Sequence, residues 1–303
     1  MPDSHTHQDT AAITAELIAV IVAVTEGQPR VLTIEGGHAL PSGPFEFGHR
    51  SLQAGLRSWV ERQTHHPLGY VEQLYTFADR DRTDSAAERV VSISYLGLTR
   101  EVRLAREPGA SWLSWYRFFP WEDCRGSAAA MAGNQLVPRL RAWAGTQRER
   151  QHRLAVNFGQ DGQRWNEELV LQRYELLWEA ELVPEAGGDA TIPGQPMAHD
   201  HRRILATGIA RLRAKIKYRP VVFELMPPSF TLLQLQRAVE ALAGRLLHKQ
   251  NFRRLIDQQD LVEETGEMAK ETGGRPAKLF RFRREILAER AVIGTKLPLV
   301  RAV

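Results

Sequence analysis

A chain of 303 residues that is 43% hydrophobic and 25% charged has the composition of a folded globular protein, with room for about two domains, and wholesale disorder is excluded. Its net charge of +4 divides unevenly, with −7 over residues 1–200 and +11 over residues 201–303, an acidic module joined to a basic one suited to a polyanionic partner. Cys124 is the single cysteine, which rules out an intrachain disulfide and a cysteine-based zinc cluster.

Residues 1–12 are polar and aperiodic and read as a loose tail. The apolar run 17–24 is too short to cross a bilayer and lacks the positive start of a secretory signal, so the chain is expected in the cytoplasm. Residues 17–25 and 31–35 are β-rich around a turn at Gly27–Gln28–Pro29, and 39–47 is a Gly- and Pro-punctuated loop. Ser51 caps a helix running to about Gln63, with Leu52, Leu56, Trp59 and Val60 on one face and Pro67 beyond its end. Residues 70–77 and 89–98 are strands separated by a polar loop. One helix set among strands predicts an α+β fold, a sandwich with a sheet at its centre.

Six aromatic side chains then crowd into residues 112–121. Residues 126–133 are small and loop-like, 136–144 and 165–182 have helical spacing, and 185–196 is a Gly- and Pro-rich linker. Asp200, read as an N-cap, opens a helix to about Lys217. His199 and His201, two residues apart, do not share a helical face, so they are not read as a metal site.

The last hundred residues carry all six lysines and a sharper pattern. Thr231 and Gln234 form a capping box, with Phe230 and Leu235 placed for the hydrophobic staple and Gly244 ending the helix. A second helix covers 249–259, burying Phe252, Leu255 and Ile256 and presenting Gln250, Arg254 and Asp257 on the opposite face, with Arg253 at the flank. Short strands at 261–264 and 278–282 flank a Gly-rich tip. Two helices and a β-hairpin in this order make a winged helix-turn-helix, whose second helix enters the major groove. Gln250, Arg253 and Arg254 are therefore candidates for base contacts, and Thr231, Gln234 and Lys249 for phosphate contacts. In the wing, Arg275 suits a narrow minor groove, with Lys278 beside it as a further cation.

The amino-terminal half resembles a Nudix domain through Leu40–Pro41–Ser42–Gly43, the helix from Ser51, and the segment from Leu74 to Asp79. The box of that family, G-x5-E-x7-R-E-U-x-E-E-x-G-U, places metal-binding glutamates on one helix face. Aligned through Ser51–Leu52, its glutamates fall on Arg50, Trp59, Arg62 and Gln63, and its final glycine on His65. Val60 keeps the aliphatic position, whereas Glu61 is one helical step away, about 100° around the axis. The expectation is a domain that has lost its magnesium ligands and with them the usual hydrolysis.

Such a domain joined to a winged helix resembles the Nudix-related transcriptional regulators of NAD metabolism, the NrtR-like family. The resemblance rests on residues 211–220, 223–227, 230–236, 249–254, 261–266 and 274–280, and the insertion with Trp115–Asp123 and Trp165–Val170 is similar to its NadQ-type branch. The resemblance implies a repressor of NAD biosynthesis genes acting on double-stranded operator DNA, and a homodimer is expected because a single winged helix reads a short site that regulators double on palindromes. Its effector is an adenine nucleotide, NAD, ATP or ADP-ribose, and it has no catalytic cofactor and no membrane partner. The alternative is an active hydrolase of a nucleotide diphosphate with unconventional catalytic residues. Adenine needs aromatic faces and a diphosphate needs cations, which Trp115, Tyr116 and Arg117 supply together; Arg80 and Arg82 follow Asp79, and Lys215, Lys217 and Arg219 form a second cluster. The expected organisation is a tail over 1–12, a sensor over 13–198 with an inserted helical region, and a winged helix over 199–303.

Overall fold

The computed structural model describes residues 13–79, 89–101, 109–188, 192–269, 276–283 and 285. Strands β1 (Ile13–Thr25), β2 (Gln28–Thr33), β3 (Ser42–Pro44), β4 (Tyr70–Phe77), β5 (Arg89–Leu98) and β6 (Ser111–Ser114) form one mixed sheet in the order β4-β5-β1-β2-β6, with β3 also paired to β1. Strands β1 and β5 run parallel and the other pairs antiparallel. The first hairpin turns on Glu26 and Gly27, both at positive φ, with Thr25 opposite Gln28. This two-residue geometry matches the twist of the strands, so the turn lies one residue earlier than Pro29 suggests.

Strand β1 is apolar on both faces because both are covered. Leu17, Ala19, Ile21 and Ala23 meet Leu56 and Val60 of helix α1 (Leu52–Thr64). Ile18, Val20 and Val22 meet Ile204, Leu205, Ile209 and Leu212 of helix α5 (His201–Lys215). The result is the α/β/α sandwich expected from the sequence, followed by a winged helix. Helix α5, counted by sequence with the carboxy-terminal module, lies on the sheet and also touches the helix that begins at Leu232. Asp200 accepts from Arg203 at 3.1 Å and makes no side-chain cap, so its role at the start of α5 is an ion pair.

The insertion contains helices α2 (Ala128–Ala144), α3 (Arg148–Phe158) and α4 (Val170–Glu179). Helix α2 starts within the stretch expected to be loop, and α4 is shorter than the helix expected over 165–182. Helix α2 packs on the turn at 120–122, and α4 packs between α3 and α5. No helix of the described residues is long and apolar enough to cross a membrane.

The winged helix comprises α6 (Leu232–Ala243), α7 (Lys249–Gln259), β7 (Val262–Ala269) and β8 (Ala277–Phe282). The capping box forms in full: Thr231 Oγ1 accepts from Gln234 N at 3.2 Å, and Gln234 Oε1 accepts from Thr231 N at 2.7 Å. Strand β7 continues to Ala269, five residues past its expected end, paired with β8 through a register shift. Phe230 and Phe280 exchange backbone hydrogen bonds of 2.9 and 2.8 Å, tying the entry to α6 onto the wing. Replacing Thr231 by Ala is expected to cost about 1 kcal/mol, the usual worth of an N-cap, measurable as a lower urea midpoint with unchanged slope.

Candidate nucleic-acid interface and effector sites

Helix α7 is seated by Phe252 and Ile256, both buried. At 100° per residue the side chains opposite that seat are Gln250, Asn251, Arg254 and Gln258, and all four are exposed with Asp257 beside them. Arg253, also exposed, flanks the row, and Lys249, exposed in the first turn, falls by helical angle on the side of the Phe252–Ile256 seat. Asn251 and Gln258 were not among the sequence candidates, although counting around the helix from Phe252 and Ile256 places them on the same face. Leu255, expected in the buried stripe, is 51% exposed, because the seat closes on Phe252 and Ile256 and leaves Leu255 at its edge. The turn before α7 is held from α6: Glu240 accepts from Leu247 N at 2.9 Å, and Gln236 Nε2 donates to Leu247 O at 3.1 Å. A recognition helix needs this fixed approach, since a base contact tolerates little displacement.

Thr231 is buried and its hydroxyl oxygen accepts in the cap, so burial counts against its reading as a phosphate contact; Gln234 is exposed beside it. Lys278 is exposed but pairs across the wing with Glu264 at 2.8 Å. Arg275 lies outside the described residues, as do Arg80 and Arg82.

The carboxyl end of α6 is docked onto the sandwich by its own carbonyl groups. Tyr116 Oη donates to Ala241 O at 2.6 Å, Arg213 Nε to Leu242 O at 2.9 Å, and Cys124 N to Gly244 O at 2.7 Å. Gly244 adopts φ +70°, and a Cβ there would come within 2.2 Å of Glu122 O, so only glycine permits this approach. Behind it, Glu122 is fully enclosed between two arginines. Arg173 donates to it through Nε (2.5 Å) and Nη2 (2.8 Å), and Arg213 through Nη1 (2.5 Å). Arg173 also stacks over Trp165 with its guanidinium carbon 3.9 Å from the ring centre. Burial pushes the Glu122 carboxyl up, but Arg173 and Arg213 outweigh it and hold it below the usual range. The insertion, α5 and the first helix of the winged module thus share one ionic centre, and none of its three charged residues was a sequence candidate.

That docking changes the reading of two aromatic candidates. Trp115 has no exposed surface and Tyr116 is buried with its hydroxyl on α6, so neither offers a face to adenine. Their ring contact is edge-to-face at 5.9 Å, an arrangement of core packing. Arg117 alone of the three is exposed. Lys215 is likewise corrected: it is buried, and its Nζ donates to Glu72 and, at 3.0 Å, to Tyr70 Oη. Lys217 is exposed and pairs with Glu167 (2.9 Å) and Glu168 (2.5 Å), and Arg219 is exposed nearby.

On α1, Trp59 lies against Gly43, where a Cβ would approach the ring to 2.3 Å, and its Nε1 donates to Pro44 O at 2.9 Å. Arg62 stacks on the same indole at 4.0 Å. Gln63 bonds both ways with the backbone of Ser42, at 3.1 and 2.8 Å. Glu61 projects to solvent. On the adjoining strand the Glu16 carboxyl is pushed up by burial, opposed by a hydrogen bond with Ser42 and by the nearby His199. His201 accepts from Leu40 N at 2.9 Å through Nδ1, and burial, reinforced by His199, drives it down to about 4. Among the described residues, no group of three or more His, Cys, Asp or Glu is placed to hold a metal ion.

Comparison with known proteins places these features in a family context. Residues 222–282 match the family model of the NrtR DNA-binding winged helix domain. The ADPR responsive transcriptional repressor NtrR of Acinetobacter baylyi is 43% identical over 86 residues, which is 28% of this chain and 34% of that repressor. The match therefore spans about a third of that relative's length. The fold is similar to crystalline Shewanella oneidensis NrtR complexed with a 27mer DNA, with a TM-score of 0.56 and 20% identity over 89% of this chain and 93% of that one. It is also similar to a MutT/nudix family protein from Enterococcus faecalis, with a TM-score of 0.52 and 16% identity over 93% and 89% of the two chains.

Proposed function

We propose that this NrtR-like, Nudix-related chain is an effector-controlled transcriptional repressor of NAD biosynthesis genes, binding double-stranded operator DNA through α7. The exposed row of Gln250, Asn251, Arg254 and Gln258 on a firmly seated second helix carries this reading, because amide and guanidinium groups are the side chains that pair with purine edges. The family match of residues 222–282 supports the same use of the module. The name of the Acinetobacter relative favours ADP-ribose over NAD or ATP as effector. Arg117, exposed at the end of the aromatic turn, is kept as a cation for its diphosphate, and Arg80 and Arg82 remain candidates from the sequence. The repressor acts in the cytoplasm as a homodimer, with each copy contributing one α7 to a two-fold operator.

The sensor holds its nucleotide without cleaving it. On the alignment through Ser51–Leu52, the side chains at the positions of the Nudix glutamates do not suit a magnesium site: Arg62 and Trp59 stack on each other, and Gln63 is spent on Ser42. Incubation with ADP-ribose and Mg²⁺ is expected to release no AMP or ribose phosphate above a protein-free control, as read by chromatography. Steady turnover would reject the silent sensor in favour of a hydrolase. The repressor reading itself is tested by a mobility shift with the promoter of an NAD synthesis gene, in the presence of excess random DNA and at stated salt.

A further inference from the structure

A cavity of about 370 Å³ separates the end of α5 and the segment that follows it from the winged helix. Its walls are apolar: Val222 and Phe223 on one side, Leu235 and Val239 of α6 behind, and Phe252 and Leu255 of α7 on the other. The exposed edge of Leu255 noted above is part of this wall. The mouth is different in kind. The exposed lining residues Lys217, Arg219 and Arg245 form its solvent side, with the buried Glu167 as the acidic member. Glu167 lies 2.9 Å from Lys217 and 3.8 Å from Arg245, and Lys217 has Glu168 as well. Arg219 has no carboxylate partner among the described residues, so the mouth carries surplus positive charge. An apolar body with a cationic collar, in the size range of small-molecule sites, specifies its guest by chemistry.

We propose that this cavity binds a small amphipathic carboxylate, its aromatic or branched apolar body between α6 and α7 and its anionic end at Arg219 and Arg245. A charged hydrogen bond at a partly desolvated mouth is worth enough to separate an acid from its amide by about tenfold or more. The site lies between the end of α5 and the winged helix, uses Lys217 and Arg219, which the sequence offered as cations for the effector, and gives α7 an input of its own. A guest packed against Phe252 and Leu255 stiffens the seat of the recognition helix.

The test is calorimetric titration of the full chain, without DNA, using hydrocinnamate and its uncharged amide as probes. We expect one saturable site for hydrocinnamate, with the amide at least about tenfold weaker. Arg219→Glu should remove that preference while leaving the weak amide binding in place. Val239→Phe, which fills the cavity, should abolish both, with circular dichroism checking that the fold is kept. Equal affinity for acid and amide, no saturable binding of hydrocinnamate, or a preference unaffected by Arg219→Glu overturns the proposal. Because Arg219 is an exposed side chain, that last arm stands even if the filled variant does not fold. None of these readouts involves an operator or ADP-ribose, so their failure leaves the repressor reading untouched.

Discussion

Replacing Arg254 by Ala is expected to lower affinity for the operator by about 5–150-fold per recognition helix, the equivalent of 1–3 kcal/mol for a bidentate base contact. Arg254 stands opposite the Phe252–Ile256 seat and points to solvent, with no carboxylate partner among the described residues to hold it back. The loss should fall on the operator and spare random DNA, because a base contact carries sequence information and a phosphate contact does not. Lys249→Ala provides the contrast: it should weaken both DNAs alike and flatten the dependence on log salt by about one unit. Fluorescence anisotropy with operator and shuffled duplexes at several salt concentrations separates the two patterns. Equal behaviour of the two variants would mean that α7 lies along the backbone rather than in the groove.

The second large effect concerns stability. Glu122→Gln leaves Arg173 and Arg213 enclosed with a neutral partner, and removing one member of a buried ion pair costs about 3–5 kcal/mol. Urea denaturation should show this as a large fall in midpoint. The pH dependence has a definite sign. The Glu122 carboxyl is held below its usual value in the folded chain, so its contribution is complete above the unfolded value of about 4.3 and is lost as pH falls through the lower folded value. The wild-type chain should therefore lose stability on acidification, and the Gln variant should lack that component. Because Arg213 also donates to Leu242 O, the substitution should loosen α6 against the sandwich, seen as faster hydrogen exchange there.

Sequence and structure agree best where local signals act alone. The strands Tyr70–Phe77 and Arg89–Leu98 and the helix Lys249–Gln259 coincide with their expected limits, since alternation, helical spacing and flanking turns all point the same way. The capping box at Thr231 and the stop at Gly244 are legible for the same reason. The insertion is not. Helix α3 (RERQHRLAVNF) is polar over most of its length, and α2 carries Pro138 inside it, so both depend on neighbours far along the chain. The docking centre was invisible for a stronger reason. Arg173 and Arg213 have the local appearance of surface arginines, and only the return of residues 120–124 beneath α6 gives them a buried carboxylate. The same return converts Trp115 and Tyr116 from apparent ligand platforms into packing. The sequence singles out aromatic residues, but whether their faces are open is a property of tertiary structure.

The two halves of the account meet in one titration: the full chain against a fluorescent promoter duplex at fixed salt, with and without ADP-ribose. Affinity about a thousandfold or more above that for a shuffled duplex, shifted about 5–150-fold by ADP-ribose, is the predicted result. Affinity equal for both duplexes, or unmoved by saturating ADP-ribose, would contradict it.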